Sequence, residues 1–234
     1  MFTPAEEEDR IRAVYAERCI QGVERLYSWN NADVHLAKYR LAAVYSQMLV
    51  KFGFRDLSRI HILDVGCGSG GWLRQLHEWG AEPDKLHGID LLEDRIKTAK
   101  SYCSRIDYQW ISAWPIPFDD SSMHIVSAST VFSSILDAEA RLAMAREMVR
   151  VMRPDGLILV YDFRYKNPRN DDVMGIRTGE IRRLFPTLSL TVRTLNLVPP
   201  LARRITPRSP LLSLGLQMLL PFLRSHAIYG LRKP

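Results

Sequence analysis

The segment Ile62-Leu63-Asp64-Val65-Gly66-Cys67-Gly68-Ser69-Gly70-Gly71 constrains the fold more than any other, because an apolar strand runs directly into a glycine cluster that opens a helix. Glycines at such a turn let the backbone approach a ligand, and the helix start offers N–H groups and partial positive charge. Gly66, Gly68 and Gly71 satisfy G-x-G-x-x-G, and Asp90 ends the next apolar run at the ~20-residue distance at which a carboxylate meets a ribose. A glycine turn can also be a purely steric device, and Asp90 a surface turn residue. The strand before, the helix after and the acidic residue in register favour a ligand site. They leave open whether the ligand is a nicotinamide dinucleotide or another nucleoside cofactor.

Around this turn, short apolar runs alternate with amphipathic stretches, the pattern of βαβ units on a parallel sheet. The pattern predicts strands at 60–65, 86–90, 106–111, 123–129, 157–162, 188–195 and 226–232. Helices are expected at 70–79, 92–104 and 137–152, the last ended by Arg153-Pro154-Asp155-Gly156. Ahead of the first strand, Thr3-Pro4-Ala5-Glu6 reads as a capped helix start. That helix is expected to reach about Leu26, and a second to run through Leu36 and Leu49 to Gly53. The reading is one compact α/β domain: a Rossmann-like, mostly parallel seven-stranded sheet with helices on both faces and an antiparallel last strand. Residues 1–55 form a helical lid, and 56–234 carry the site.

The 234 residues and their 47% hydrophobic content suffice for a core on both sheet faces. Cys19, Cys67 and Cys103 are odd in number and far apart, which implies neither a disulfide framework nor a zinc site. No metal is expected. The start Met1-Phe2-Thr3-Pro4, followed by glutamates, lacks the basic and apolar regions of a secretory leader, so a cytoplasmic protein is expected. The net charge of +6 is uneven: residues 1–180 hold 23 basic against 26 acidic side chains, whereas nine Lys or Arg and no Asp or Glu follow Glu180. Such a tail suits an anionic substrate, a phospholipid surface or nucleic acid, or is a solvated face. Within it, Leu211–Leu223 is too short to span a bilayer, which takes ~20 residues. It is a core-facing helix or an interfacial one, so peripheral membrane contact through this basic region stays open.

Leu63-Asp64-Val65-Gly66-Cys67-Gly68-Ser69-Gly70 resembles the first signature of the class I S-adenosylmethionine-dependent methyltransferases. Ile116-Pro117-Phe118-Asp119-Asp120-Ser121-Ser122 is similar to the family's stretch before the fourth strand, and the segment from Glu147 to Gly156 to its turn into the fifth. The likeness is strong over residues 60–162. The first 55 residues and the loop after Asp162 look like the "type 11" methyltransferases, members of which occur with polysaccharide or natural-product biosynthesis. The resemblance implies S-adenosyl-L-methionine as cofactor, with Asp64, Gly66 and Gly68 along its methionine part, Asp90 on the ribose and Leu91 on the adenine. Where the family often has an Asp after the third strand, this chain has Ser112-Ala113, placed by the resemblance beside the adenine. Ser129 and Tyr27 complete the expected cofactor set. His124 departs from the family's Asp at that position and reads as structural, since it enters the fourth strand at the far edge.

Methyl transfer from a sulfonium is an in-line displacement whose leaving group needs no proton, so the protein chiefly aligns the reactants and excludes water. No catalytic residue is assigned. A hydroxyl acceptor would use a base, for which Tyr161, Asp162, Tyr165 and His35 are candidates; core, loop-anchor and ordinary helix roles compete for each. The acceptor pocket is expected from Ser129–Phe132 and Tyr161–Arg169 at the carboxyl edge, with Tyr27, Trp29 and Arg40 closing over it. The expected substrate is a small-molecule, sugar or lipid-linked acceptor methylated at oxygen. Nucleic acid is disfavoured because Ser127–Phe132 stands where amino-methylating enzymes on DNA and RNA carry N/D-P-P-[YFW]. The rivals are an NAD(P)-dependent oxidoreductase, for which no Tyr-x-x-x-Lys or second domain is evident, and an inactive binding module, against which stands the intact first motif.

Overall fold

A computed structural model describes residues 4–28, 30–111, 115–168 and 170–234. The expected positions Thr3, Trp29, Ser112, Ala113 and Arg169 lie outside them. Seven strands form one sheet: β1 (Ile62–Val65), β2 (Leu86–Asp90), β3 (Asp107–Trp110), β4 (Met123–Ser129), β5 (Met152–Phe163), β6 (Ser189–Leu197) and β7 (Arg224–Arg232). Their order is β3-β2-β1-β4-β5-β7-β6. The first five pair in parallel, and β7 runs antiparallel to both β5 and β6. This is the Rossmann-like sheet expected from the alternation.

The helices are α1 (Pro4–Ile20), α2 (Ala32–Lys51), α3 (Gly71–Glu78), α4 (Glu93–Tyr102), α5 (Ala138–Val151), α6 (Thr178–Leu184), α7 (Pro199–Ile205) and α8 (Pro210–Leu219). They cover both sheet faces, so β1 is buried at all four residues and carries apolar side chains on each side. One core gathers Leu63, Val65, Val126, Ile158 and Val160 with Met144 and Met148 of α5. The other gathers Ile62, Ile125, Leu157 and Leu159 with Tyr45 and Met48 of α2.

Four details depart from the sequence expectation. The first helix ends at Ile20, because Gly22 takes a left-handed conformation (φ 65°) and a 3₁₀ turn over Val23–Tyr27 follows. The residues Arg153–Gly156 are part of β5 as a bulge: from Met123 to Ile125 on β4 the partner advances from Met152 to Leu157. An unexpected helix, α7, starts at Pro199-Pro200, where proline supplies the helical φ and needs no N–H partner. The apolar segment expected over 211–223 divides into α8 and a 3₁₀ turn at Pro221–Leu223.

The two family-like segments 116–122 and 147–156 are tied by one side chain. Arg150 donates to the carbonyls of Phe118 and Ile116 at 2.8 Å each and pairs with Asp120 and Glu147. Glu147 in turn accepts the Ile116 amide at 2.9 Å. At the same far edge, His124 Nδ1 accepts the His61 amide at 3.1 Å and its ring stacks on His61.

Candidate functional site

The chain order reverses between β1 and β4, and a crevice must open where the loops after these strands turn to opposite faces. A cavity of about 870 Å³, counted to its open mouth, lies there at the carboxyl edge. Its floor is Val65 and Gly66 at the end of β1, Ile89–Leu92 at the end of β2, and Ser129–Val131 at the end of β4; Ile111 and Ile116 wall one side, and Glu8, Ile11 and Tyr15 of α1 roof it.

The turn after β1 is built for close approach. Gly66, Gly68 and Gly70 all have positive φ, at 69°, 55° and 73°. A Cβ on Gly66 would lie 2.5 Å from Val131 Cγ2, and one on Gly70 would collide with the Tyr108 hydroxyl, so both glycines are pressed against their own fold. A Cβ on Gly68 would meet only the Arg95 guanidinium, at 3.5 Å. The open side of the loop is therefore at Gly68.

Asp90 is held by that loop. Gly68 donates its amide to Oδ2 at 2.8 Å and Leu92 donates to Oδ1 at 2.9 Å, leaving each oxygen a lone pair toward the cavity. Burial pushes the carboxyl up from its ordinary value, and these two N–H bonds and the Arg95 charge oppose that.

Asp64 faces the other side of β1. It is 2% exposed, Ser127 Oγ donates to its Oδ1 at 2.6 Å, and burial pushes its carboxyl up to about 7. Close by, the Tyr45 and Ser129 hydroxyls lie 3.3 Å apart.

Helix α1 is latched over the cavity. Arg10 Nη2 reaches the Ser134 carbonyl at 2.5 Å, Glu7 accepts the Leu136 amide at 2.6 Å, and Arg12 donates to the Leu91 carbonyl at 3.2 Å. The Arg95 guanidinium lies 4.6 Å from the centre of the Tyr15 ring, a cation–π contact across the mouth.

Of the residues expected from sequence, Gly66, Asp90, Leu91 and Ser129 line the cavity, and Gly68 and Asp64 flank it. Tyr27 does not come to it. The break at Gly22 leaves Tyr27 on the outer side of the 3₁₀ turn, 59% exposed, and Tyr15 occupies the roof instead. Sequence reasoning also missed Glu8, Ile11 and Arg95. The i, i+3, i+7 spacing of Glu8, Ile11 and Tyr15 was the available signal for a shared helix face.

Among the base candidates, Asp162 is fully buried and accepts amides from Ser133 and Phe163, which makes it an anchor of the loop after β4. Tyr161 accepts from Asn196 Nδ2 at 2.8 Å and stacks on His226. Tyr165 donates to the Phe222 carbonyl, and His35 is exposed on α2. The cavity's described lining holds two carboxylates, Glu8 and Asp90.

An apolar cleft with one anchored carboxylate beside a glycine turn has the chemistry to hold a nucleoside. Residues 62–156 match the model of a methyltransferase domain. An O-methyltransferase of Penicillium expansum is 29% identical over 127 residues, 52% of this chain and 44% of the relative. A ubiquinone/menaquinone biosynthesis C-methyltransferase of Citrifermentans bemidjiense is 28% identical over 172 residues, 70% of this chain and 67% of that protein. The solved structure of a geranyl diphosphate C-methyltransferase from Streptomyces coelicolor A3(2) superposes with a TM-score of 0.61 at 13% identity, covering 83% of this chain and 78% of that one. The chain spans less than half the length of the first curated relatives it matches. Residues 62–156 thus match a methyltransferase domain, and the strand order and first motif are similar to those of the class I S-adenosylmethionine-dependent methyltransferases.

Proposed function

We propose that the chain transfers the methyl group of S-adenosyl-L-methionine to a small-molecule acceptor, with oxygen as the receiving atom. The observation that carries this reading is Asp90, fixed through both oxygens by Gly68 and Leu92 at the floor of an apolar cleft. In this assignment Asp90 holds the ribose hydroxyls, Leu91, Ile111 and Ile116 take the adenine, and Gly66, Gly68 and Asp64 border the methionine part, with Ser129 beside them. Ser112 and Ala113 keep their sequence-based assignment to the adenine end.

The cofactor supplies an activated methyl on a sulfonium. The protein's contribution is to fix the reactants in line and to exclude water, which needs no proton transfer to the leaving group. Residues 1–55 divide this work in our reading: α1 acts as the lid, with Ile11 and Tyr15 closing the cleft, while Tyr45 and Met48 hold α2 in the core. The acceptor approaches over Ser129–Val131. Relatives named for quinone and O-methylation support a small organic acceptor; sugar and lipid-linked acceptors belong to the same proposal. No described helix is long and apolar enough to cross a membrane, and we assign the chain to the cytoplasm on its three unpaired cysteines.

Thermal denaturation with added ligand tests the cofactor. S-adenosylhomocysteine should raise Tm by mass action, and NAD and NADP at equal concentration should not. Stabilisation by NAD alone would overturn the assignment. Incubation of acceptor pools with labelled S-adenosylmethionine then separates an enzyme from a binding module, which would bind cofactor and label nothing.

A further inference from the structure

The helical hairpin between β6 and β7 is amphipathic the wrong way round for a core helix. Its polar residues point inward: Ser213 and Gln217 are buried on α8, Thr206 is buried after α7, and the Thr206 and Ser213 hydroxyls lie 3.1 Å apart. Its apolar residues point outward, with Leu211 79%, Leu212 55%, Met218 70%, Leu219 81% and Phe222 65% exposed. On a helical period Leu211, Leu212, Gly215, Met218 and Leu219 share one face of α8, opposite Ser213 and Gln217. The hairpin is nonetheless firmly seated: Arg224 donates to the Gln217 carbonyl at 2.7 Å and to Thr194 Oγ1 at 3.1 Å. The apolar face is thus displayed by a fixed element.

The charge around this face selects its occupant. Arg203, Arg204 and Arg208 are exposed beside the start of α8, and no Asp or Glu occurs anywhere after Glu180. An apolar strip with cationic neighbours matches the boundary between acyl chains and anionic headgroups. Ten residues of α8 give a helix of ~15 Å, half of the ~30 Å hydrocarbon core, so the hairpin lies on a bilayer and does not cross it. We infer that α7, α8 and the Pro221–Leu223 turn form a docking surface for an anionic phospholipid membrane. Tyr165, in the loop after β5, reaches the Phe222 carbonyl, so docking holds the carboxyl edge of the sheet next to the lipid. The inference goes beyond methyl transfer and does not depend on it.

Co-sedimentation of the full chain with vesicles tests it. Binding is expected to vesicles of phosphatidylglycerol in phosphatidylcholine, weakening as salt rises, with little binding to phosphatidylcholine alone. The double variant Leu211→Glu/Leu219→Glu alters two exposed side chains and should keep its Tm while losing at least about tenfold in vesicle affinity. Arg203→Glu/Arg204→Glu should lose binding to the anionic vesicles and keep its fold. Absence of wild-type binding at low salt overturns the inference. So does self-association in sedimentation velocity that the leucine variant abolishes without any vesicle binding, which would give the face to a second copy of the chain. S-adenosylhomocysteine affinity, measured on the same samples, reports the cofactor site separately.

Discussion

The amide of Gly68 donates to Oδ2 of Asp90 at 2.8 Å, joining the glycine turn after β1 to the end of β2. One carboxylate thereby shapes the loop and offers its remaining lone pairs to the cavity. Charge-assisted hydrogen bonds of this kind contribute on the order of 1.5–3 kcal/mol each. Asp90→Ala should weaken S-adenosylhomocysteine binding by at least about tenfold, which corresponds to ~1.4 kcal/mol, and lower Tm as the loop loses its anchor. Calorimetric titration of the folded variant is the check; unchanged affinity would make Asp90 a turn residue only.

Gly66→Ala brings two costs that can be separated. A positive φ costs an L-residue ~1–2 kcal/mol, and a Cβ 2.5 Å from Val131 Cγ2 adds an overpacking cost of ~1–3 kcal/mol. A fall in Tm of roughly 4–20 °C is expected for a chain of this size. Adding Val131→Ala should recover part of the steric cost and none of the backbone cost. Full recovery in the double variant would show that the left-handed conformation carries no penalty here.

The glycine turn was legible in sequence because strand, loop and helix are contiguous there, and Asp90 because it ends the next strand. The roof was not. Glu8, Ile11 and Tyr15 announce an amphipathic helix, but no local pattern says which cavity that helix covers. Tyr27 looked suitable as an aromatic near the lid, and only the left-handed Gly22 reveals that the chain carries it outward. Arg150 ties two distant family-like segments to each other, a link that no window of sequence contains. The α7–α8 hairpin shows the limit most clearly, since hydropathy marks it as apolar without telling which side of it meets the sheet.

Helix α1 should open when its latch is cut. Burial pushes the Glu7 carboxyl up, but the bonds from Arg10, Leu136 and Asp137 outweigh that and hold it below its ordinary value. Arg10→Ala leaves a 2% exposed carboxylate with only the Leu136 and Asp137 amides and removes the bond to the Ser134 carbonyl, a loss on the order of 1–3 kcal/mol. Amide exchange over residues 5–18 should accelerate while the sheet stays protected, and S-adenosylhomocysteine should dissociate faster. Uniform acceleration throughout the chain would mean that α1 is part of the global folding unit and not a lid.

Of the described residues lining the cavity, Glu8 and Asp90 are acidic and Arg95 is basic, an excess of one negative charge that favours a cationic ligand, with Arg12 paired to Glu8 at 3.7 Å. S-adenosylmethionine carries a sulfonium charge that S-adenosylhomocysteine lacks. Glu8→Gln keeps the shape of the side chain and removes its charge, so it should weaken binding of the methylated cofactor more than of the demethylated product. Competition titration of both ligands on one preparation measures the ratio, and equal losses would confine Glu8 to shaping the roof.

The buried Asp64 should give the unliganded protein a stability that falls as pH rises. Its carboxyl ordinarily titrates at 3.8, and burial moves it to about 7 despite the hydrogen bond from Ser127. Between these values the unfolded chain has released the proton and the folded chain retains it, so this contribution is complete below 3.8 and lost by about 7. Asp162, raised by burial to about 6, acts with the same sign over a narrower range. His226 acts oppositely: burial lowers it from 6.5 to about 4, and its contribution is lost as pH falls through that interval. Asp64→Asn removes one of these slopes and leaves the other two. Its Tm should therefore decline less than the wild type's on going from acidic to neutral pH. The same group links to the proposed cofactor site, because an ammonium bound near Asp64 would favour its charged form. Titration of S-adenosylhomocysteine at a pH slightly below the Asp64 value, in buffers of different ionisation enthalpy, should reveal protons released by the wild type and fewer by Asp64→Asn. Identical pH slopes and identical proton release in the two proteins would show that Asp64 is ionised in the folded chain, and that its bond to Ser127 is a structural clasp with no part in ligand recognition.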